Sequence, residues 1–267
     1  MDTLRSLALD LLLTVDPDEK AGRTRAMDTR LPAGADEEIP VRGVIPGRPA
    51  KPLLVPHTGL SRRSVHTREG RAALIHSLAH IELNAVDLAL DICWRFTGMP
   101  DLFYTQWMGV AREEALHFEL LRDHLSTLGC SYGDLPAHNS LWDMAERTQQ
   151  DILARIALVP RTAEARGLDA SPPIKAKLVK AGDHQGGKIL DIILRDEIGH
   201  VAIGNHWYNW LCQQRGLNPV ATYAELAQRY GAPRLRGPFN LEARLAAGFT
   251  PEELESLTKQ ELRAGTE

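Results

Sequence analysis

The sequence has few cysteines, and they do not form the pairs that metal-sulfur sites or disulfide frameworks use. Its three cysteines, Cys93, Cys130 and Cys212, stand far apart in a chain of 267 residues. No CxxC pair occurs, which argues against a zinc ribbon, a rubredoxin-type iron site and a disulfide framework. Cysteines used in this way are expected to be reduced thiols, so we predict a cytoplasmic protein.

The chain also lacks an excess of positive charge and a long apolar run. Its formal net charge of -4 gives no general basic field, so nucleic acid is not the expected partner. No run approaches the roughly 20 apolar residues that cross a bilayer, so we predict no membrane segment. Residues 7–15 resemble the apolar part of a signal peptide, but Asp10 interrupts them and Asp16 follows, which indicates a short amphipathic helix instead.

Proline is concentrated in one N-terminal stretch, and helical spacing dominates the rest of the chain. The stretch from about Arg30 to Gly59 contains six prolines, which predicts an irregular connecting or wrapping arm. Downstream, no β-alternation of useful length appears. The predicted fold class is therefore all-α, with an N-terminal helix and arm (1–66), a four-helix bundle (67–216) and a short helical C-terminal tail packed on the bundle (217–267).

The bundle is predicted to contain four long helices. Their predicted bounds are 67–96, 101 to just before Gly129, 141–166 with a stop at Gly167, and 186–214. A short helix is expected after Pro172 and Pro173. Two more are expected in the tail, near 221–230 and from Pro251, which suits a first helical position.

Three of the four long helices carry acidic residues or histidines on an apolar stripe. Glu82 interrupts the stripe of the first helix. Glu114 and His117 interrupt that of the second, and Glu197 and His200 that of the fourth, each as an i, i+3 pair. Buried carboxylates that converge without a cation are costly. The pattern therefore predicts a metal site in the core.

The ligand on the third helix is chosen by its spacing. Glu164 stands 33 residues before the glutamate of the fourth helix, close to the 32 residues between the glutamates of the first two. The pattern thus indicates two helix pairs with the same arrangement, in which a Glu on one helix is followed by a Glu-x-x-His motif on the next. Pro160, one turn before Glu164, must kink or restart the helix. Because this leaves the register open, Glu146 and Asp151 are alternatives.

Two further carboxylates stand immediately before predicted ligands. Glu113 and Asp196 are interpreted either as solvated charges or as acceptors for the free ring N–H of the histidine on the neighbouring helix, which would fix its tautomer. Asp196 is the better candidate for the second role. His76 and His80 lie off the stripe of the first helix and are interpreted as surface or satisfied core histidines, with a role in the site as the alternative.

The motifs around these residues resemble known families. HIELNAVDLALD, AREEALHFELL, PRTAEARGLDASP and RDEIGHVAIGNHW resemble an uncharacterised bacterial family, domain of unknown function 455, over nearly the whole chain. The core from about residue 67 to 214 resembles the ferritin-like superfamily. Its dimetal carboxylate proteins use two Glu-x-x-His motifs and one Glu from each of two other helices. An Asp likewise precedes a ligand Glu in the ribonucleotide reductase small subunit and in bacterial di-iron monooxygenases, as Asp196 does here.

This resemblance implies a ferritin-like bundle that holds two metal ions. Iron is the expected metal, and manganese or a mixed manganese/iron pair is compatible with the ligands. The implied function is that of a non-haem di-iron oxidoreductase, an oxidase or hydroxylase. Its partners would be dioxygen or peroxide, an unknown small-molecule substrate and an electron donor. A tRNA substrate stays open, because the superfamily includes a tRNA hydroxylase. The implied ligands are Glu82, Glu114, His117, Glu164, Glu197 and His200.

Two other functions stay open. The chain could be an iron-binding ferroxidase or peroxide-scavenging protein, or a metal-stabilised helical interaction protein. The arm and tail exceed what a cage-forming ferritin subunit needs, and the missing CxxC pairs remove the electron-transfer module of rubrerythrin. Both observations favour a substrate-acting enzyme. The oligomeric state is not predicted.

Overall fold

The computed structural model describes residues 2–60 and 63–264. In this part of the chain the secondary structure is helical, and β-structure is limited to an isolated bridge between Leu54 and Ala137. The predicted all-α class is confirmed. The chain groups into unit 1, Met1–Asp143 with Lys177–Ile189, and unit 2, Met144–Ala176 with Leu190–Glu267. The three-part division drawn from the sequence stays a prediction.

A helical hairpin forms the centre of unit 1. It consists of α3 (Arg68–Arg95) and α4 (Asp101–Thr127), which lie against each other. Thr67 caps α3 by accepting a hydrogen bond from the backbone of the first turn. The short connection contains Gly98 at a φ of 71° and Pro100, which together end one helix and start the next. Both helices agree with their predicted bounds.

Two short helices precede the hairpin where the sequence predicted one. They are α1 (Leu4–Leu12) and α2 (Pro17–Ala26), and both pack against the hairpin. The second was missed, although its start is readable in the sequence. Asp16 accepts a hydrogen bond from the first turn of α2, and Pro17 occupies the first helical position.

The predicted irregular arm is confirmed for the described residues between α2 and α3. Apart from a single 3₁₀ turn, His57–Gly59, they contain no helix. Buried Arg5 donates hydrogen bonds to the carbonyls of Gly34 at 2.9 Å and of Trp94 at 2.7 Å. The Trp94 indole in turn donates to the carbonyl of Ile39 at 3.0 Å. These bonds fasten the arm to the C-terminal end of α3.

The apolar character of α3 corrects one expectation. By length and composition α3 qualifies as a candidate membrane span, with a mean hydropathy of 1.2 over its best 18-residue window. The expectation that no segment has these properties was wrong. However, 72% of that window is buried inside the protein. Such burial is typical of the core helix of a soluble protein.

The third long helix predicted over 141–166 is interrupted. The structure has α5 (Ser140–Arg147), α6 (Ile152–Leu158) and a π-helical segment, Val159–Glu164. Asp151 caps α6 by accepting hydrogen bonds from the backbone N–H groups of Leu153 and Ala154. α5 and α6 are therefore separate helices.

The helix that follows runs through residues that were expected to stop it. The predicted end at Gly167 and the separate helix after Pro172 and Pro173 were wrong, because α7 spans Ala165–Lys180 without a break. Pro172 lacks the N–H that would bond to the carbonyl of Leu168. Asn240 donates a hydrogen bond to that carbonyl at 3.2 Å. A tertiary contact thus supplies the bond that the proline removes.

Pro160 changes the helix type instead of ending it. In the π-helical segment, the N–H of Ala165 bonds to the carbonyl of Pro160, five residues back. Gly204 lies opposite, and a Cβ there would be 2.9 Å from the Cβ of Pro160. The sequence predicted a kink or a restart at Pro160, and the structure has a π-helical segment there instead. The missing side chain at position 204 makes space for the proline ring.

The remaining helices complete unit 2. The fourth long helix, α8 (His184–Gln214), agrees with its predicted bounds. The tail has α9 (Pro219–Arg229) and α11 (Pro251–Ala264), as expected, and a missed short helix, α10 (Leu241–Ala246). Arg244 of α10 pairs with Asp169 of α7 at 2.6 Å. This ion pair attaches the tail to α7.

Candidate metal centre

Three predicted ligands form a buried cluster on the hairpin of unit 1. The Nδ1 atom of His117 lies 3.2 Å from Oε2 of Glu82 and 3.3 Å from Oε2 of Glu114. Glu82 is 5% exposed, and the other two side chains are fully buried. One ligand atom from each residue lies within 4.8 Å of the others. The structure therefore brings together the ligands predicted for the first two helices.

Helix geometry explains this arrangement. Glu114 and His117 are three residues apart on α4, so their side chains lie on the same face. The hairpin turns that face toward α3, where Glu82 stands in the middle of the helix. Val110 and Leu121, which flank Glu114 and His117 on the stripe of α4, are apolar and buried, so the cluster lies in apolar surroundings.

The electrostatics of the cluster indicate a shortage of positive charge. Burial, opposed by the hydrogen bond from His117 and reinforced by the charge of Glu114, raises the pKa of Glu82 to about 7. Burial lowers the pKa of His117, but its hydrogen bonds to Glu114 and Glu82 outweigh burial and raise that pKa to about 12. Both shifts keep protons in the cluster. A metal cation would supply the same charge without them.

The donor set fits a metal ion. Two ligand atoms that share an ion at about 2.1 Å lie no more than about 4.2 Å apart. The distances of 3.2 and 3.3 Å between Nδ1 of His117 and the two carboxylates meet this limit. Carboxylate and imidazole are ligands for iron, manganese and zinc alike, so the cluster does not identify the metal.

Unit 2 carries the second Glu-x-x-His pair on α8. Glu197 is 6% exposed and His200 is 1% exposed, and Oε1 of Glu197 lies 4.0 Å from Nδ1 of His200. Both point away from solvent, as the apolar stripe predicted. Glu164 is partly buried at the end of the π-helical segment. The roles of these three residues as ligands stay predictions.

The alternative ligands for the third helix occupy other positions. Asp151 is the N-cap of α6, and Glu146 is exposed. Of the two carboxylates beside predicted ligands, Glu113 is exposed. Asp196 is 13% exposed and accepts a hydrogen bond from Arg195 at 2.7 Å. Its proposed role toward His117 stays a prediction.

His76 and His80 are core histidines with hydrogen bonds inside unit 1. His80 contacts the Tyr132 hydroxyl through Nδ1 at 2.8 Å and the carbonyl of His138 through Nε2 at 3.0 Å. His76 accepts a hydrogen bond from the N–H of Gly133 at 3.0 Å. The interpretation of these residues as satisfied core histidines agrees with these contacts.

Buried cations outside the cluster were not predicted from the sequence. Arg161 donates a hydrogen bond to Asn205 at 2.8 Å, pairs with Glu253 and lies 4.6 Å from the ring of Tyr208. Lys20 is only 2% exposed. Lysine and arginine are mostly exposed in proteins, so nothing in the local sequence marked these two as buried.

These observations define the class: an all-helical protein with a buried carboxylate and imidazole cluster that could hold a metal ion. The chain belongs to the family described as protein of unknown function (DUF455), whose model matches residues 13–255. It is 48% identical over 225 residues to an uncharacterized protein of Haemophilus influenzae, covering 82% of this chain and 78% of that relative. No solved structure matches the chain.

Proposed function

We propose that this protein is a non-haem di-iron oxidoreductase with a ferritin-like four-helix core. The observation that carries the proposal is the cluster of Glu82, Glu114 and His117, in which two buried carboxylates and an imidazole form a donor set that suits a metal cation. The proposed ligands are Glu82, Glu114, His117, Glu164, Glu197 and His200.

Two features of unit 2 support the second half of this ligand set. Glu197 and His200 are buried and three residues apart, so they repeat the arrangement of the pair on α4. Glu164 ends a π-helical segment, and such segments occur frequently at functional sites. Four carboxylates and two imidazoles suit a pair of ions better than a single four-coordinate zinc.

When bound, a pair of iron ions supplies redox chemistry with dioxygen or peroxide. The residues of the chain then have three tasks. The carboxylates would balance the charge of the ions, the imidazole of His117 would supply a neutral nitrogen ligand, and the complete burial of Glu114 and His117 keeps bulk water out. A water-excluded site suits an enzyme that must protect a reactive centre.

The proposed partners are the oxidant, a small organic substrate and an electron donor. All three cysteines are free thiols, and Cys93 and Cys212 are buried. A protein without disulfides agrees with a reducing compartment, so the proposed location is the cytoplasm.

Metal analysis of protein from iron-supplied cells, followed by anaerobic loading with ferrous ion, tests the proposal. We expect two iron ions per chain. Glu114→Gln is expected to abolish binding of the pair, because Glu114 is fully buried in the cluster. Glu113→Gln is the matched control, since Glu113 is its exposed neighbour, and it is expected to keep both ions.

Exposure of the loaded protein to oxygen separates the candidate functions. The proposal predicts oxygen consumption in proportion to the bound pair and no further iron uptake. Uptake of many irons per chain would indicate storage. One zinc per chain, or no metal after loading, would contradict the dimetal site, and a loaded protein inert to oxygen and peroxide would indicate a structural metal.

A further inference from the structure

A cavity lies in unit 1 beneath the arm, separate from the metal cluster. Its volume is about 210 Å³, and α3 contributes His80, Asn84 and Asp87 to its lining. We call it the arm cavity. His80 and Asn84 are each two residues from Glu82, and two residues turn an α-helix by about 200°. They therefore lie on a different face of α3 from Glu82.

Two cations and one carboxylate line the arm cavity. Lys20 lies 2.5 Å from Asp87, and both are buried. Arg48 donates hydrogen bonds to the amide oxygens of Asn139 and, at 3.0 Å, of Asn84. Its guanidinium also lies 5.6 Å from the ring centroid of Trp142. Both cations are therefore held in fixed positions before any ligand arrives.

The cavity has a surplus of hydrogen-bond donors and of positive charge. Lys20 uses two N–H groups, one toward Asp87 and one toward the carbonyl of Gly47 at 2.9 Å, and an ammonium has a third. The two bonds of Arg48 leave further guanidinium N–H groups. Against these two cations, Asp87 is the single carboxylate in the described lining. The surplus favours an anionic ligand.

Much of the remaining wall of the arm cavity is apolar. Among the residues that form it are Val15, Leu53, Leu54 and Leu83. Leu53 is 68% exposed and Leu54 is 37% exposed, so this part of the wall is accessible from solvent. An engineered cavity of about 150 Å³ accepts benzene. A volume of about 210 Å³ by comparison suits a ligand of roughly six to eight non-hydrogen atoms.

We propose that the arm cavity binds a small organic monoanion, a carboxylate with a short alkyl chain. The carboxylate accepts hydrogen bonds from Lys20 and Arg48, and the chain lies against the leucines. A planar guanidinium matches two carboxylate oxygens. One surplus positive charge suits a single negative charge better than a phosphate dianion, and the apolar wall gives phosphate no contact.

Isothermal titration calorimetry of the full chain with sodium hexanoate tests this site. We expect one saturable site per chain, with hexanol and inorganic phosphate bound at least about tenfold more weakly. Arg48→Gln is expected to weaken hexanoate binding roughly ten- to a hundredfold, and Arg48→Lys to weaken it less. Arg42→Gln is the control, because Arg42 is an exposed arm residue paired with Asp10. The affinity of this variant for hexanoate should equal that of the wild type.

A second pair of variants keeps the test independent of folding. Leu53 is largely exposed, so Leu53→Asp and Leu53→Asn should both fold, and they differ mainly in charge. The asparagine is expected to weaken hexanoate binding through the lost contact with the alkyl chain, and the aspartate is expected to weaken it further, because it adds a negative charge beside the cavity. Any of four results would overturn the proposal. They are the absence of saturable binding of hexanoate, equal affinity for hexanol, tighter binding of phosphate, and equal effects of the two Leu53 variants.

Discussion

Replacing Gly204 by alanine tests how closely α8 packs against the π-helical segment. The added Cβ would lie 2.9 Å from the Cβ of Pro160, which is closer than two carbon atoms approach. The proline ring cannot rotate away, because it is part of the backbone. Overpacking of this kind costs about 1–3 kcal/mol. It exceeds the roughly 0.5–1 kcal/mol that alanine contributes over glycine inside a helix, so we expect net destabilisation by about 0.5–2 kcal/mol.

Gly199→Ala, on the same helix, is the matched control. Gly199 is exposed, and a Cβ there meets no atom within 4 Å, so this variant should gain about 0.5–1 kcal/mol. The helix-propensity gain is common to both variants, so their difference in unfolding free energy isolates the clash at about 1–3 kcal/mol. Urea unfolding and thermal melting measure this difference, and each kcal/mol is expected to shift the melting temperature by about 2–4 °C. A Gly204→Ala protein that melts as high as Gly199→Ala would refute the close contact.

Two further predictions concern an acidic neighbour of the ligands and a buried histidine. Asp196→Asn should keep the fold and weaken iron affinity roughly ten- to a hundredfold; competition with a chelator measures this, and unchanged affinity would leave Asp196 as a charge paired with Arg195. Burial lowers the pKa of His76 from 6.5 to about 4. Between these pH values the unfolded chain binds more protons than the folded chain. The free energy of unfolding therefore decreases as the pH falls from 6.5 to about 4, by up to about 3 kcal/mol. His76→Gln, which keeps an acceptor for the N–H of Gly133, should reduce that loss in urea unfolding at pH 7 and 4.5; an equal loss would contradict the assignment to His76.

The long helices of the hairpin were predictable because their start and stop signals are local. Thr67 accepts a hydrogen bond from the first turn of α3, and Gly98, with a positive φ, lies in the short connection after it. The unit 1 half of the candidate site was predictable for the same reason. Glu114 and His117 share a face because of helix geometry alone, and an apolar stripe turns inward wherever a core exists.

The third helix was not predictable, because its course depends on residues far away in the sequence. Pro172 would end a helix that stood alone, but Asn240 bonds to the carbonyl of Leu168 that the proline leaves open. Pro160 is accommodated by a π-helical turn and by the absence of a side chain at Gly204. A rule based on local sequence predicts only the loss of the hydrogen bond at Pro172. In the folded chain, the side chain of Asn240 supplies a replacement hydrogen bond.

The sequence by itself determined the all-helical class, the bounds of three of the four predicted long helices and the pattern of glutamates and histidines on their stripes, because each follows from local geometry and periodicity. The tertiary structure decided which of those side chains meet within unit 1 and which cations are buried. Lys20 meets Asp87, and Arg48 meets Asn84, across long stretches of chain. Such pairs form only after the backbone has folded, since burial of a charge is tolerable only beside a partner that distant packing brings to it.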